Sequence, residues 1–204
     1  MAFTFFFRDM QILELAIRHV VPFTMGRSKV RMWDAGCAMG PEPYSLAIML
    51  AEQMGYFAFK NLTIIASDID DQDTFGNIIG NGIYPYEELQ RAPKELFEKY
   101  FNPSRQKGFY EVIDPIKRSI QFVKHDLLSL NPVGGDFTLI LCKNVLLHFQ
   151  QAERIEVIGM FHDALTDGGY FATEQTQKMP EELRHLFSHV VNDGQIHKKN
   201  GVRK

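Results

Sequence analysis

The residues best suited to chemistry in this chain follow three apolar runs that are typical of β-strands. Gly36 and Gly40 come after the first run, Asp68 closes the second, and Lys143 and Asn144 follow the third. Glycines let a backbone approach a ligand closely, and the start of the next helix offers unpaired N–H groups. An acidic side chain at the end of the second strand can accept hydrogen bonds from a ribose diol. These residue types predict a site for a nucleoside.

Three strands and a helix must position these side chains. The apolar runs cover residues 30–34, 62–67 and 137–142. Pro41 and Pro43 suit the first turn of a helix that ends near Gly55. In an open α/β sheet the ends of such strands form a crevice along one edge, where nucleotide-like ligands bind.

The spacing of the glycines narrows the choice of ligand. It differs from the dinucleotide fingerprint G-x-G-x-x-G, and no Lys-Ser or Lys-Thr pair marks a phosphate-binding loop. A nucleoside cofactor without a pyrophosphate fits, and S-adenosylmethionine, with S-adenosylhomocysteine as its product, is the leading candidate. The alternative is an ordinary tight turn between a strand and a helix.

A longer match then makes the interpretation specific. Residues 35–45 resemble the A-G-C-S-T-G-E-E-P-Y-S signature of the chemotaxis-receptor methyltransferases, the CheR family. Further matches follow in the family's order, and they are residues 4–8, 66–70, 81–84, 99–101, 126–128, 142–145 and 167–170. The resemblance implies a class I methyltransferase fold, which is a mostly parallel, Rossmann-like α/β sheet with helices on both faces and a C-terminal antiparallel hairpin.

The resemblance also assigns site residues. In the family the segment that matches residues 4–8 folds over the cofactor, and its threonine and arginine contact it; Ala2 stands where an asparagine is usual. Asp126 matches a residue near the adenine amino group, although a capping role is an alternative. The cofactor-binding candidates are Thr4, Arg8, Gly36, Cys37, Glu42, Asp68, Asp126, Leu127, Lys143 and Asn144. The catalytic candidates are Arg8 and His148.

The implied reaction is methyl transfer to a glutamate side chain of a chemoreceptor or related signalling protein. Such a displacement mainly needs alignment of the nucleophile with the methyl group. A carboxylate acceptor is already ionised at neutral pH and needs no general base, but it needs a donor that holds it. Arg8 is the candidate, because a guanidinium grips carboxylates in a fixed geometry, and it can serve the cofactor carboxylate, the substrate or both.

Departures from the family pattern keep other acceptors open. Lys143 replaces an arginine, His148 replaces a tyrosine, and residues 174–177 stand where the family often has G-H-S-E. A histidine can donate a hydrogen bond or act as a base near neutral pH. The alternatives are a methyltransferase for another acceptor and a regulatory module that binds the cofactor without turnover. For His148 a packing or surface role is a further alternative.

Composition limits the class of protein. The chain has 204 residues, 45% of them hydrophobic, and a net charge of -3, which predicts one globular domain without general affinity for nucleic acid. No apolar run approaches the roughly 20 residues that cross a bilayer. Cys37 and Cys142 would stay reduced in the expected cytoplasmic location. The sequence has no Cys or His cluster at the spacing of metal ligands, so we expect no bound metal. The oligomeric state is left open.

The expected domain is residues 1–204. The family's N-terminal helical domain is expected to be absent, and residues 101–119 are expected to form a reduced version of the family's small β-subdomain. Residues 110–113 and 120–123 are predicted as two strands, with Pro115 between them. Further predictions are a helix over residues 11–20 followed by a loop at 22–27, a helix over 70–80 with Asp70 as its N-cap, a helix over 151–165 and a hairpin over 188–198.

Overall fold

The computed structural model describes residues 4–201. Its helices are α1 (Met10–Thr24), α2 (Pro41–Met54), α3 (Tyr56–Phe59), α4 (Phe75–Asn81), α5 (Tyr86–Leu89), α6 (Lys94–Tyr100), α7 (Asp114–Lys117) and α8 (Gln151–Ala164). Its strands are β1 (Val30–Ala35), β2 (Leu62–Asp68), β3 (Ile83–Pro85), β4 (Phe101–Pro103), β5 (Phe109–Val112), β6 (Ile120–Lys124), β7 (Phe137–Leu141), β8 (Leu165–Thr173), β9 (Phe187–His189) and β10 (Gln195–Lys199).

The main sheet of the described residues has the strand order β6-β2-β1-β7-β8-β10-β9. The first five strands in this order are parallel, and they are β6, β2, β1, β7 and β8. By contrast, β10 runs antiparallel to both β8 and β9. Every residue of β7 is buried, as expected of a parallel strand covered on both faces. The predicted fold class, a mostly parallel α/β sheet with a C-terminal antiparallel hairpin, is confirmed.

Two hydrophobic cores cover the two faces of this sheet. Successive strand residues point to opposite faces, so Met32 and Trp33 of β1 enter different cores. Met32 packs with the apolar faces of α1 and α2, whereas Trp33 packs with Phe161 of α8. The indole N–H of Trp33 also donates to Ser67 Oγ on β2, at 2.8 Å. The arrangement holds the ends of β1 and β2 in register at the edge where the polar residues lie.

A second, small sheet has the order β3-β5-β4. Residues 110–113 and 120–123, predicted as two strands, correspond to β5 and β6, which belong to different sheets. The strand β5 pairs antiparallel with β3 and β4, whereas β6 pairs parallel with β2 at the edge of the main sheet. The intervening helix α7 begins at Asp114 with Pro115 in its first turn, and it turns the chain away from a hairpin.

Two helix boundaries also differ from the predictions. Pro22 lies inside the last turn of α1 rather than opening a loop. The proline removes one helical hydrogen bond, but the helix ends two residues later, with Met25 N bonded to Pro22 O. Asp70 is not an N-cap residue, because α4 begins at Phe75. Its carboxylate instead reaches forward and accepts from the Thr74 and Phe75 backbone N–H groups at 2.9 and 3.0 Å.

The remaining elements agree with the sequence. The helix after Gly40 ends at Met54, α8 covers Gln151–Ala164, and β9 and β10 form the expected hairpin. Within residues 4–201, no helix is both long and apolar enough to cross a bilayer. Ala2, noted above as a departure from the family pattern, lies outside the described residues.

Candidate functional site

A cleft of about 580 Å³ opens at the carboxyl ends of β1, β2, β6 and β7. It exceeds the cavity of about 170 Å³ that lies beside Leu146 and Arg154. All the candidate residues named from the sequence line this cleft, and they are Thr4, Arg8, Gly36, Cys37, Glu42, Asp68, Asp126, Leu127, Lys143, Asn144 and His148. The structure therefore brings together residues that lie as much as 144 positions apart in the chain, from Thr4 to His148.

The glycine turn, residues 36–40, forms one wall of the cleft. Gly36 has a φ of 98°, and a Cβ atom at this position would collide with the side chain of Val145. Gly40 has a φ of 101°, and its Cβ would lie 2.6 Å from Ile79 and from the hydroxyl of Tyr84. Both positions need glycine for two reasons, since the backbone is left-handed and the space is taken.

Asp68 connects the end of β2 to this turn. Its Oδ2 accepts a hydrogen bond from the Ala38 N–H at 2.9 Å, and Gly36 N and Cys37 N donate to Ser67 O at 2.7 and 3.0 Å. Asp68 thus stabilises the glycine turn in addition to facing the cleft. Its Oδ1 makes only a long contact of 3.5 Å with Asp70 N, so it can accept from a ligand hydroxyl.

Asp126 has the local role that the sequence left open. Its Oδ1 accepts from Leu128 N at 2.9 Å and caps the short 3₁₀ turn Leu127–Ser129. The neighbouring His125 lines the cleft as well, with its ring against Trp33 and its Nε2 at 2.7 Å from Asn131 O. The cap fixes this loop at the rim of the cleft.

The N-terminal strap, residues 4–9, closes one side of the cleft. Phe6 is fully buried and packs edge-on against Tyr84 and Phe101, at 4.9 and 5.2 Å between ring centroids. The Phe7 N–H donates to Ser45 Oγ at 2.8 Å. These anchors hold Thr4 and Arg8 at the cleft, on either side of a buried aromatic segment.

Lys143 and Glu42 form an ion pair at the base of the cleft. Lys143 Nζ lies 2.8 Å from Glu42 Oε2, 3.5 Å from Asp9 Oδ2 and 3.4 Å from Arg8 O, and its side chain is fully buried. Burial alone lowers the pKa of Lys143, but the charges of Glu42 and Asp9 outweigh burial and raise it above its usual value. The lysine is therefore charged and links α2 to the N-terminal strap.

His148 and Asn144 lie on the turn that follows β7. His148 is exposed at the cleft, whereas Asn144 adopts a left-handed backbone with a φ of 59°. The Asn144 N–H donates to Glu174 Oε2 at 2.9 Å, and that oxygen also accepts from the Thr173 hydroxyl. Glu174, in the segment that departs from the family pattern, thus holds Asn144 without lining the cleft.

Several residues of the site were missed in the sequence. Residues that also line the cleft are Ser67, Ile69, Val145 and Phe149. In the sequence, the only indication of their role was that they lie next to, or one position from, predicted site residues. Asp34 lies beneath the cleft and is fully buried, and its signal was a carboxylate within an apolar strand run.

The two cysteines of the chain are free thiols at the ends of β1 and β7. Burial raises the pKa of Cys37 and of Cys142 well above the usual thiol value, so neither is an activated nucleophile. Among the described residues, no group of three or more His, Cys, Asp and Glu side chains is arranged to bind a metal ion.

Comparison with known families gives a match to the model described as CheR methyltransferase, SAM binding domain, over residues 2–195. The chain is 28% identical over 194 residues to the probable chemotaxis protein methyltransferase of Rhizobium etli, covering 92% of this chain and 72% of that protein. It is 31% identical to the chemotaxis protein methyltransferase of Escherichia coli K12, covering 94% of this chain and 65% of that protein. It is also 31% identical to the chemotaxis protein methyltransferase of Borreliella burgdorferi, covering 82% of this chain and 61% of that protein. The chain thus spans roughly two thirds of the length of these relatives.

A solved SAM-dependent O-methyltransferase from Thermotoga maritima has a similar fold. It superimposes with a TM-score of 0.51 and 15% sequence identity, covering 100% of this chain and 70% of that one. At this identity the likeness concerns the fold alone.

The glycine turn yields a stability prediction. Gly36→Ala should lower the free energy of unfolding by about 1–2 kcal/mol for the left-handed backbone and by about 1–3 kcal/mol more for the collision with Val145. Gly26→Ala is the matched control, since Gly26 also has a positive φ, 77°, but has no atom within 4 Å of its would-be Cβ. Urea unfolding of both variants measures the difference. Equal losses at the two positions would show that Val145 does not restrict the turn.

Proposed function

Because the chain belongs to the CheR methyltransferase family, we propose that it is an S-adenosylmethionine-dependent methyltransferase that forms methyl esters on glutamate side chains. The proposed substrate is a chemoreceptor or a related signalling protein, and the proposed location is the cytoplasm. The observation that carries this proposal is the cleft itself. It combines the glycine turn, Asp68 and the Lys143–Glu42 pair at the edge of the sheet where α/β folds bind nucleosides.

The chemistry of the cleft suits each part of this cofactor. Asp68 keeps one carboxylate oxygen for a ribose diol. Ile69 and Leu128 are apolar yet 50% and 42% exposed, and both line the cleft, where a purine ring would cover them. Glu42, Lys143 and Arg8 supply both signs of charge for an amino-acid group. When bound, S-adenosylmethionine supplies a methyl group on a positively charged sulfur, which a nucleophile can displace.

The chain's own contribution is to bind and align the acceptor. A glutamate carboxylate is ionised at neutral pH and attacks without a general base. Arg8 borders the cleft on the N-terminal strap, and its guanidinium can orient an acceptor carboxylate by paired hydrogen bonds. Val145 and Phe149 add apolar surface to the lining of the cleft.

A second acceptor class is favoured by one observation. The exposed ring of His148 lies at the cleft, where it can act as a base for an acceptor that must lose a proton. The chemical stability of the transferred methyl group distinguishes the two classes, because methyl esters hydrolyse in alkali and N-methyl groups do not.

Incubation with radiolabelled S-adenosylmethionine and receptor signalling domains tests the proposal. We expect label in the protein fraction, and we expect mild alkali to release it as methanol. Arg8→Ala should lower the rate on the order of 100-fold by misplacing the acceptor. Arg118→Ala is the control, because the Arg118 side chain is 82% exposed and lies outside the cleft. Alkali-stable label would point to the second acceptor class, and cofactor binding without transfer would indicate a regulatory module.

Asp68 gives a prediction about the cofactor. Asp68→Ala should weaken binding of S-adenosylhomocysteine by about 1–3 kcal/mol, the scale of lost charged hydrogen bonds. Because Asp68 also accepts from Ala38 N, Asp68→Asn serves as a second variant that keeps an oxygen near the turn. Asp71→Ala, at an exposed position outside the cleft, is the control. Calorimetry measures all three, and unchanged affinity in Asp68→Ala would remove the ribose role.

The small sheet predicts weak binding of receptor tails. Peptides that add to a sheet need a strand edge with free N–H groups. Both edge strands of this sheet, β3 and β4, have three residues and end in Pro85 and Pro103, which lack an N–H. We therefore expect a receptor C-terminal pentapeptide not to bind with useful affinity, as measured by fluorescence anisotropy of a labelled peptide. Saturable binding in the low micromolar range would contradict this expectation.

A further inference from the structure

Asp34 is a buried carboxyl group without an evident donor. It lies on β1 between Ala66 of β2 and Leu141 of β7, and its exposure is 0%. Neither carboxylate oxygen receives a hydrogen bond from an N–H or a hydroxyl of the described residues. An ionised carboxylate in such a place would lose its hydration without replacement, which is strongly unfavourable. A buried polar group of this kind requires a specific explanation.

The group that Asp34 meets is another carboxyl. Strand alternation directs Asp34 to the same face as Met32, toward α2, and there its side chain lies within hydrogen-bonding reach of Glu42. Two carboxylates can approach in this way only if one of them carries a proton. Glu42 is already paired with Lys143 at 2.8 Å, so the proton is best accommodated on Asp34.

The charges around the pair lead to the same assignment. Lys143, after β7, is the cation that faces it, and Asp68 at the end of β2 adds a further negative charge. Cys37 and Cys142 lie nearby as neutral thiols. One lysine cannot balance both Asp34 and Glu42 in a buried place. Burial, followed by the charge of Glu42, raises the pKa of Asp34 well above its usual value, and Lys143 only partly opposes them.

We propose that Asp34 carries a proton beside Glu42 in the free protein and releases it to the solvent when the amino-acid end of the cofactor binds. This inference rests on the proposed function. Glu42 lines the cleft with 12% of its side chain exposed, so it can accept from the ligand's ammonium group. An added positive charge beside these two carboxyl groups stabilises the ionised form of Asp34, and the proton leaves. Asp34 is thus a positioning residue that acts through Glu42 and couples cofactor uptake to pH.

Calorimetry with two ligands and two buffers tests this coupling. Titrations with S-adenosylhomocysteine are run near neutral pH in phosphate and in Tris, whose ionisation enthalpies differ, so that the heats report the number of protons released. The second ligand, 5′-methylthioadenosine, retains the adenosine and the thioether but lacks the amino acid. The wild-type protein should release up to one proton with the first ligand and none with the second.

Variants then assign the proton. Asp34→Asn has the same shape but cannot titrate, and it should bind S-adenosylhomocysteine with less proton release than the wild type. Any change in the ligand's own amino group is common to both proteins and cancels in the difference. Below the raised pKa of Asp34, the wild-type Kd should fall by up to about 10-fold for each unit by which the pH rises, and this dependence should be weaker in Asp34→Asn. Asp34→Ser, with a smaller side chain, is a second variant should the amide disturb folding.

Glu88→Gln is the control, since Glu88 is partly buried but lies outside the cleft, and it should match the wild type.

The possible results separate the two claims. Equal proton release by the wild type and both Asp34 variants would overturn the coupling, as would equal release with the two ligands. Failure of the wild-type protein to bind either ligand would instead contradict the proposed function, and this inference with it.

Discussion

The buried ion pair of Lys143 and Glu42 is the interaction on which the site depends. Lys143 follows the central strand β7, Glu42 lies in the first turn of α2, and the lysine also meets Asp9 and the Arg8 carbonyl of the N-terminal strap. A fully buried ammonium group is tolerated only when it is paired, so these segments must converge for the chain to fold. Removing one partner would leave the other charge buried and unpaired, which is more costly than losing the pair.

This convergence explains why strained backbone collects around the cleft. Phe7, Ala38 and Asn144 all have positive φ values although none is glycine. Each is held by a hydrogen bond from its own N–H, to Ser45 Oγ, Asp68 Oδ2 and Glu174 Oε2 respectively. Such conformations persist only where the surroundings fix them, and they are typical of functional sites. The cleft is therefore preorganised by contacts that lie just outside it.

Much of this arrangement could be predicted from local sequence. The buried strands, the glycine turn and the C-terminal hairpin follow from apolar runs and turn residues, and Gly36, Asp68 and Asn144 line one cleft because parallel strands end at one edge. The places of Thr4 and Arg8 at that cleft were implied by the family resemblance. The strand pairing has a different origin. The pairing of β6 with β2 joins segments about 55 residues apart, which residue patterns between 101 and 123 do not reveal.

Burial and charge balance were the features hardest to predict from the sequence. Asp126 and Asp70 were recognised as acidic residues at element ends, but only the structure shows which N–H groups their carboxylates accept from. The ion pair of Lys143 and Glu42 joins residues 101 positions apart in the chain. The complete burial of Asp34 results from the packing of all the elements around it. Roles in the site therefore need the three-dimensional distribution of charge as well as the residue types.

The most direct test is a crystal structure of the protein with S-adenosylhomocysteine bound. We expect the ribose hydroxyls within hydrogen-bonding distance of Asp68 Oδ1, the adenine against Ile69 and Leu128, and the amino-acid end at Glu42 and Lys143. A ligand bound outside this cleft, or bound within it with its amino-acid end away from Glu42 and Lys143, would contradict the central claim.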